Sequence, residues 1–372
     1  MDITNLIYRI AFASVSGMGI DLANKFLDVL PSEKAFFDIS EKELQLITNS
    51  KSKIIGYDYR QKQLMLAQKE AEFIERNNIK VSYFTDSDFP TRLLNATDAP
   101  ILLYSMGSCN LNAKHTIAIV GTRHATHYGQ QFVDRFIEDI AQSLSDVVIV
   151  SGLAYGIDIM AHKACLKHNV PTAAVLAHGL NTIYPTSHRN IAADIVHSGG
   201  ALITDYSSQS HINKGNFVAR NRIVAALSDC TIVVESAEKG GALITAQLAS
   251  SYNREVFALP GRSTDEFSSG CNKIIMNNEA SLITSAHDVL HAMQWKSKNE
   301  SGKPRQKTLF PETTPEEDLI LNMLKNNDEM HINTLTARLN LPVYQILSNL
   351  VELEFKGLVT ALPGCRYTLT IH

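Results

Sequence analysis

The chain opens with a helical rhythm that runs to about Leu111. Leu6, Ile7, Ile10, Ala13 and Ser14 mark one apolar face, and Leu22, Phe26, Leu27 and Leu30 mark another at i, i+4 spacing. Ser40-Glu41-Lys42-Glu43 sets an acid three residues after an N-cap serine. A long polar–apolar helix is predicted near Tyr59 to Asn77, and short strands over Lys80–Phe84 and Ile101–Tyr104. The pattern then changes. Short apolar runs fall at Thr116–Val120, Val147–Val150, Thr172–Ala177, Ala201–Asp205, Thr231–Val234, Glu255–Leu259 and Ser281–Thr284, with amphipathic runs between nearly all of them. Parallel strands covered by helices on both faces read as continuous apolar runs. The alternation therefore predicts a doubly wound α/β sheet.

A polar stretch from Lys296 to Thr314 carries Lys298, Lys303, Arg305 and Lys307 and reads as a linker. Helices are predicted over Pro315–Lys325, Ile332–Leu339 and Val343–Lys356. Leu358–Leu362, Pro363-Gly364 and Arg366–Ile371 then read as a hairpin. Three helices closed by a hairpin form a winged helix-turn-helix pattern. The expected organisation is a helical domain over 1–80, an α/β domain over 81–295, a linker over 296–314 and a winged helix over 315–372.

Composition narrows the class. Among 372 residues, 45% are hydrophobic and 19% charged, which excludes a disordered or collagen-like chain. The net charge of −4 excludes a wholly basic coat for nucleic acid and leaves room only for a local basic patch. The five cysteines, Cys109, Cys165, Cys230, Cys271 and Cys365, are far apart and never form Cys-x-x-Cys, so reduced thiols are expected rather than a zinc ribbon or a disulfide framework. The first residues do not fit a signal peptide, and no apolar run approaches the ~20 residues of a membrane span. A cytoplasmic protein is expected.

Four segments carry candidate chemistry. Val120-Gly121-Thr122-Arg123 follows a strand and precedes a helix, where a glycine turn and a helix N-terminus favour an anion. Arg123 adds a planar fork suited to phosphate. The string is neither Gly-x-Gly-x-x-Gly nor a Walker sequence. An exposed arginine on a plain turn is the competing reading. Gly152 sits in a second such turn, Val150–Asp158, also at a strand's carboxyl end, where open α/β sheets bind ligands. His162, four residues after Asp158, raises an acid/base pair, against the simpler expectation of a solvated or capping histidine. The third segment, Lys214 to Arg222, holds three cations and an aromatic within nine residues. Single-stranded nucleic acid needs such cations for phosphates and an aromatic face for a base. The fourth, Glu235 to Ala246, is a strand end with a Gly240-Gly241 turn opening a helix. The thirteen histidines are scattered and no metal site is expected.

Together these strings resemble the DNA-processing protein A family (DprA, also called Smf). The resemblance rests on Ile119–Arg123 with Tyr128-Gly129, Val150–Asp158 with Ala161-His162, and Gly179-Leu180-Asn181 with Tyr184-Pro185. It continues through Arg220-Asn221-Arg222-Ile223, Gly240–Ala246, Glu255–Gly261 and Gly270-Cys271-Asn272. It covers about Lys114 to Trp295, and both ends match the family's layout of a sterile-alpha-motif-like N-terminal domain and a C-terminal winged helix. Val218 stands where the family commonly has proline. The resemblance implies an extended Rossmann-like fold that binds single-stranded DNA without catalysis. It implies loading of RecA recombinase beside single-strand binding protein during natural transformation, no cofactor, and a homodimer. Carried over by position, it implies phosphate contacts from Arg123, Lys214, Arg220 and Arg222 and base stacking on Phe217. Gly121, Thr122, Gly152, Asn221, Gly240 and Gly241 complete the expected site. Four neutralised phosphates would give a slope of log affinity on log salt of roughly −3.

Val15–Ala23 resembles a helix-hairpin-helix turn. From Pro315 onward there are four cations and seven acids, and the expected recognition helix of the winged helix, Val343 to Lys356, has no cation before its last residue. A major-groove reader needs arginine or lysine there. Contact with protein, or weak contact with DNA, is expected of this domain. Two rival readings remain. Nucleotide phosphoribohydrolases share the superfamily, but the Gly-x-Gly-Thr glutamate they use has no counterpart in Lys239–Gln247. A protein scaffold for which DNA is incidental is the other.

Overall fold

The computed structural model describes residues 2–48, 56–298, 313–325, 327 and 329–370. Most of the expected linker lies outside the described residues. Nine strands form one sheet: β1 (Lys80–Tyr83), β2 (Leu102–Gly107), β3 (His115–Val120), β4 (Val147–Ser151), β5 (Thr172–Val175), β6 (Ala201–Thr204), β7 (Cys230–Val233), β8 (Glu255–Ala258) and β9 (Ser281–Leu282). Their order is β1-β2-β6-β5-β4-β3-β7-β8-β9. The run from β6 to β9 is parallel throughout, as the apolar alternation predicts. β1 and β2 add an antiparallel edge, with Tyr104 opposite Thr204. This is an α/β, Rossmann-like sheet.

Successive side chains point to opposite faces. In β3, Ile117 and Ile119 enter one apolar core, while Ala118 and Val120 enter the other. The helices His127–Ser143 and Ile157–His168 cover the first face. The helices Lys214–Ala226 and Gly241–Ser251 cover the second. The strand order reverses between β3 and β7: β4, β5 and β6 lie to one side of β3, and β7, β8 and β9 to the other. Loops leaving β3 and β7 therefore part toward opposite faces and open a crevice between them.

The N-terminal helices do not make a separate core. Phe12, Phe26, Phe36 and Phe37 belong to the same apolar cluster as Val148, Val150 and Ile203 of the sheet. The turn at Gly17, with φ of +76°, leads into the helix Ile20–Leu27.

The helices Pro315–Lys325, Ile332–Leu339 and Val343–Phe355 pack around Ile320, Leu335, Ile346 and Leu350. β11 (Val359–Leu362) and β12 (Arg366–Leu369) form the expected hairpin. A two-residue strand, β10 (Met330–His331), joins β12 and was not expected. The resulting winged helix is tied to the sheet by charge. Asp229, which precedes β7, accepts from Arg92 Nε at 2.7 Å, from the Thr116 amide at 2.8 Å and from Arg366 Nη1 at 2.7 Å. Arg366 Nη2 reaches Glu329 at 2.6 Å. Burial alone would push the Asp229 carboxyl up, but Arg92 and Arg366 hold it below the usual carboxylate range.

Arg92 and Asp229 are 6% and 2% exposed at their side chains, so their pairing is little screened by water. Arg92→Met leaves a buried carboxylate short of one partner and is expected to cost about 3 kcal/mol of stability. Chemical denaturation measures this directly, and a loss below about 0.5 kcal/mol would show that Arg366 alone suffices.

Candidate functional site

Segments from five parts of the chain meet at the carboxyl ends of β3, β4 and β7. They enclose a cleft of about 370 Å³ lined by Gly121 to His124, Ala154, Asp158, Phe217, Val218, Arg220, Asn221, Lys239 to Gly241 and Phe267, among others. Of the residues expected in the site, Gly121, Thr122, Arg123, Phe217, Arg220, Asn221, Gly240 and Gly241 line this cleft. Gly152 is bonded to two of the lining residues, Asp158 and Arg220, and Lys214 is exposed three residues before Phe217 on the same helix. Arg222 is elsewhere.

Buried carboxylates shape the rim. The Thr122 amide donates to the Glu235 carbonyl at 2.6 Å and ties the β3 turn to the end of β7. The Glu235 side chain accepts from the Thr126 amide at 2.9 Å and from its hydroxyl. A Cβ on Gly129 would lie 2.4 Å from Glu235 Oε2, so a glycine is needed for that approach. On the β4 side, Asp158 accepts from the Gly152 amide at 3.2 Å and the Ala154 amide at 3.4 Å. Burial pushes the Asp158 carboxyl up, and Arg220 and these two amides pull it back.

Arg220 is 5% exposed. Its Nη1 donates to the carbonyls of Gly152 and Val175, both at 2.5 Å, and its Nε donates to Asn221 Oδ1 at 3.2 Å. Burial pulls its pKa down, and the Asp158 charge opposes that. A guanidinium stays charged under such conditions. The expectation that Arg220 takes a phosphate is therefore corrected: this cation is spent on the carbonyls at the ends of β4 and β5. Gly152 changes role with it. Its amide and carbonyl are both occupied, and a Cβ there would lie 2.2 Å from Arg220 Nη1. It is a glycine because the guanidinium passes over it, not because it offers a free donor.

Arg222 is corrected too. It points away from the cleft, paired with Asp205 and with the Asp98 carbonyl. The helix Lys214–Ala226 explains the split. Residues 214, 217, 218 and 221 share one face at helical spacing, whereas 220, 223 and 224 are buried and 222 lies on neither stripe.

His162 is fully buried and bonded through Nδ1 to Thr172 Oγ1 at 2.8 Å, not to Asp158. Burial, with Arg220 and His188 nearby, brings it down to about 3. It is neither the solvated histidine expected nor half of an acid/base pair.

The open surface of the cleft is cationic and aromatic. Arg123, Lys214 and Lys239 are exposed. The Arg123 guanidinium carbon lies 5.8 Å from the centre of the Phe217 ring. Tyr184 meets Phe217 edge-on at 5.5 Å, and His124 stacks on Phe267 at 6.0 Å and 24°. The helix Gly241–Ser251 begins at Gly240 with no side-chain cap, so its first amides face the cleft with the positive end of the helix. Lys239, Tyr184 and Phe267 were missed as site residues. Each lies far in sequence from Arg123 and Phe217 and arrives through the fold.

Comparisons with known proteins bear on the family and the fold. A family model described as DNA recombination-mediator protein A matches residues 80–294, and one described as DprA winged helix domain matches residues 304–365. The chain is 35% identical over 284 residues to Protein Smf of Escherichia coli K12, covering 75% of each. It is 30% identical to Protein Smf of Synechocystis over 97% of this chain and 98% of that one. Among solved structures, DNA processing protein A from Streptococcus pneumoniae aligns with a TM-score of 0.63 at 29% identity, over 77% of this chain and 97% of that one. A DNA processing protein A from Helicobacter pylori, described for its unique single-stranded DNA binding mode, aligns with a TM-score of 0.52 at 30% identity over 58% and 96%.

Two outcomes follow from the buried groups. Gly152→Ala drives a methyl group into the hydrogen-bonded Arg220 and is expected to cost about 1–3 kcal/mol, read from the denaturation midpoint. An unchanged midpoint would show that Arg220 moves aside freely. The second concerns pH. The His162 value is lower folded, about 3, than unfolded, about 6.5, so the unfolded chain binds the extra proton. Stability contributed by neutral His162 is complete above about pH 6.5 and falls toward pH 3. His162→Gln is expected to flatten the decline of the melting temperature across that window. Parallel curves for the two proteins contradict the assignment.

Proposed function

The chain belongs to the DNA recombination-mediator protein A family, and from that premise we propose that its cleft between β3 and β7 binds single-stranded DNA. The observation that carries the reading is the exposed Arg123 guanidinium against Phe217, with Lys214 and Lys239 exposed nearby. A cation beside an aromatic face suits a phosphate and the base attached to it. Arg123, Lys214 and Lys239 take phosphates. Phe217 stacks on a base. The uncapped start of the helix Gly241–Ser251 adds amide donors. Gly121, Thr122 and Asn221 shape the floor.

The role is binding, not catalysis. The two buried carboxylates at the cleft are both committed to loop amides, Asp158 to Gly152 and Ala154, and Glu235 to Thr126. A general base must be free to reach the proton it takes. This favours the binding reading over nucleotide hydrolysis. The finer reading is a recombination mediator in the cytoplasm. It protects incoming single strands during natural transformation and passes them to RecA recombinase beside single-strand binding protein. It acts as a homodimer, since two clefts on one strand raise the effective concentration of each. Among the described residues no helix is long and apolar enough to cross a membrane.

The winged helix takes a protein-contact role. Two of its cations are already paired, Lys356 with Glu317 and Arg366 with Asp229 and Glu329. Its helix Val343–Phe355 instead exposes Tyr344 and Phe355, at 72% and 85%.

Three free cations, rather than the four of the sequence reading, set a slope of log affinity on log salt near −2. Fluorescence anisotropy with a labelled oligothymidine across a salt series is the test. Arg123→Ala and Lys214→Ala are each expected to weaken binding and flatten the slope by under about one unit. Phe217→Ala is expected to cost ~1–3 kcal/mol with the slope unchanged. Arg222→Ala is expected to leave both quantities at the wild-type value. Wild-type affinity in the first three variants would remove the site. The same titration on Lys325→Ala/Arg338→Ala, which strips the exposed cations of the winged helix, is expected to show single-strand affinity within about twofold of wild type. A large loss would make the winged helix a DNA contact.

A further inference from the structure

Four aromatic rings gather at this cleft, and none of them belongs to an apolar core. Tyr184, Phe217, His124 and Phe267 are absent from every buried cluster among the described residues. They pair in two groups. Tyr184 supports Phe217 from the edge at 5.5 Å, and His124 stacks on Phe267 at 6.0 Å. Arg123 joins the groups: it lies over Phe217 and is the chain neighbour of His124. Packing does not account for the second pair. His124 is exposed and Phe267 is half-buried at the cleft wall. Phe267 is also fixed in place. Its carbonyl accepts from the Ser236 amide at 2.6 Å, and the Gly270 amide donates to Ser236 at 2.9 Å, so the segment is clamped to the end of β7.

We propose that the His124–Phe267 pair is a second base platform, holding the nucleotide next to the one on Phe217 with Arg123 on the phosphate between them. This rests on the reading of the cleft as a single-strand site. Two platforms on either side of one phosphate require adjacent bases to part from each other. A duplex, whose bases are stacked and paired, cannot supply them. The ligand is thus a flexible single strand read by its π faces, which all bases share, and not by base-edge hydrogen bonds.

The test uses the full chain and oligothymidine in anisotropy titrations at fixed salt. Phe267→Ala is expected to weaken binding by about five- to a hundredfold without changing the salt slope. Phe267→Tyr is expected to keep wild-type affinity. His124→Ala, at an exposed position with little bearing on folding, is expected to weaken binding in the same way and guards against a misfolded Phe267→Ala. An oligomer of abasic sugars is expected to bind wild type and Phe267→Ala equally. Wild-type affinity in both His124→Ala and Phe267→Ala, with Phe217→Ala weakened, overturns the second platform and leaves the cleft intact. Wild-type affinity in Phe217→Ala and Arg123→Ala as well overturns the single-strand reading itself.

Discussion

Arg220 lies beneath the cleft with one nitrogen shared between the carbonyls of Gly152 and Val175, and the geometry above it depends on that contact. The two carbonyls belong to the ends of neighbouring strands, β4 and β5. Bridging them fixes the loop that follows β4, and Asp158 balances the charge while holding the same loop by its amides. The contact also sets the rotation of the helix Lys214–Ala226. With Arg220 turned inward, Phe217 and Asn221 must face the cleft and Lys214 its rim. Removing one member of a buried charged set leaves the others unsatisfied at a cost of several kcal/mol. That cost holds the floor in one arrangement.

Charge is divided by burial throughout the molecule. Inside, Arg220, Asp158, Glu235, Arg92 and Asp229 satisfy one another or nearby backbone, and they position loops and the winged helix. Outside, Arg123, Lys214 and Lys239 remain available to a polyanion. The division explains how a chain with a net charge of −4 carries a nucleic-acid site. The attraction comes from a few exposed cations at the carboxyl ends of the central strands, so local charge rather than net charge serves the site. It also keeps affinity dependent on aromatic contacts as much as on phosphates.

Much of the architecture was legible in the residues. The strands read from apolar runs lie within a few residues of their observed ends, because strands buried on both faces leave a strong signal. β10 was missed because two residues carry no period. The core shared by the N-terminal helices and the sheet was not legible either, since the apolar faces of helices do not say what they meet. Within the site, Arg123 and Phe217 came from local strings. Arg220 and Arg222 were misjudged by counting cations in a window. Helical spacing from Phe217 would have put Asn221 on the same face and left Arg222 off it, whereas Arg220, three residues on, is told apart only by its burial against the Gly152 and Val175 carbonyls. Tyr184, Lys239 and Phe267 reach the cleft from three other loops, and only the strand order brings them together.

The central claim is that this cleft prefers single strands because its aromatic rings need unpaired bases. The most direct measurement is the binding of the wild-type chain to one labelled oligonucleotide, alone and annealed to its complement, over the same salt series. The account predicts tight single-strand binding with a slope near −2 and much weaker duplex binding at every salt concentration. Equal affinity for the two forms, falling together with salt, would mean that phosphates alone are recognised and would contradict it.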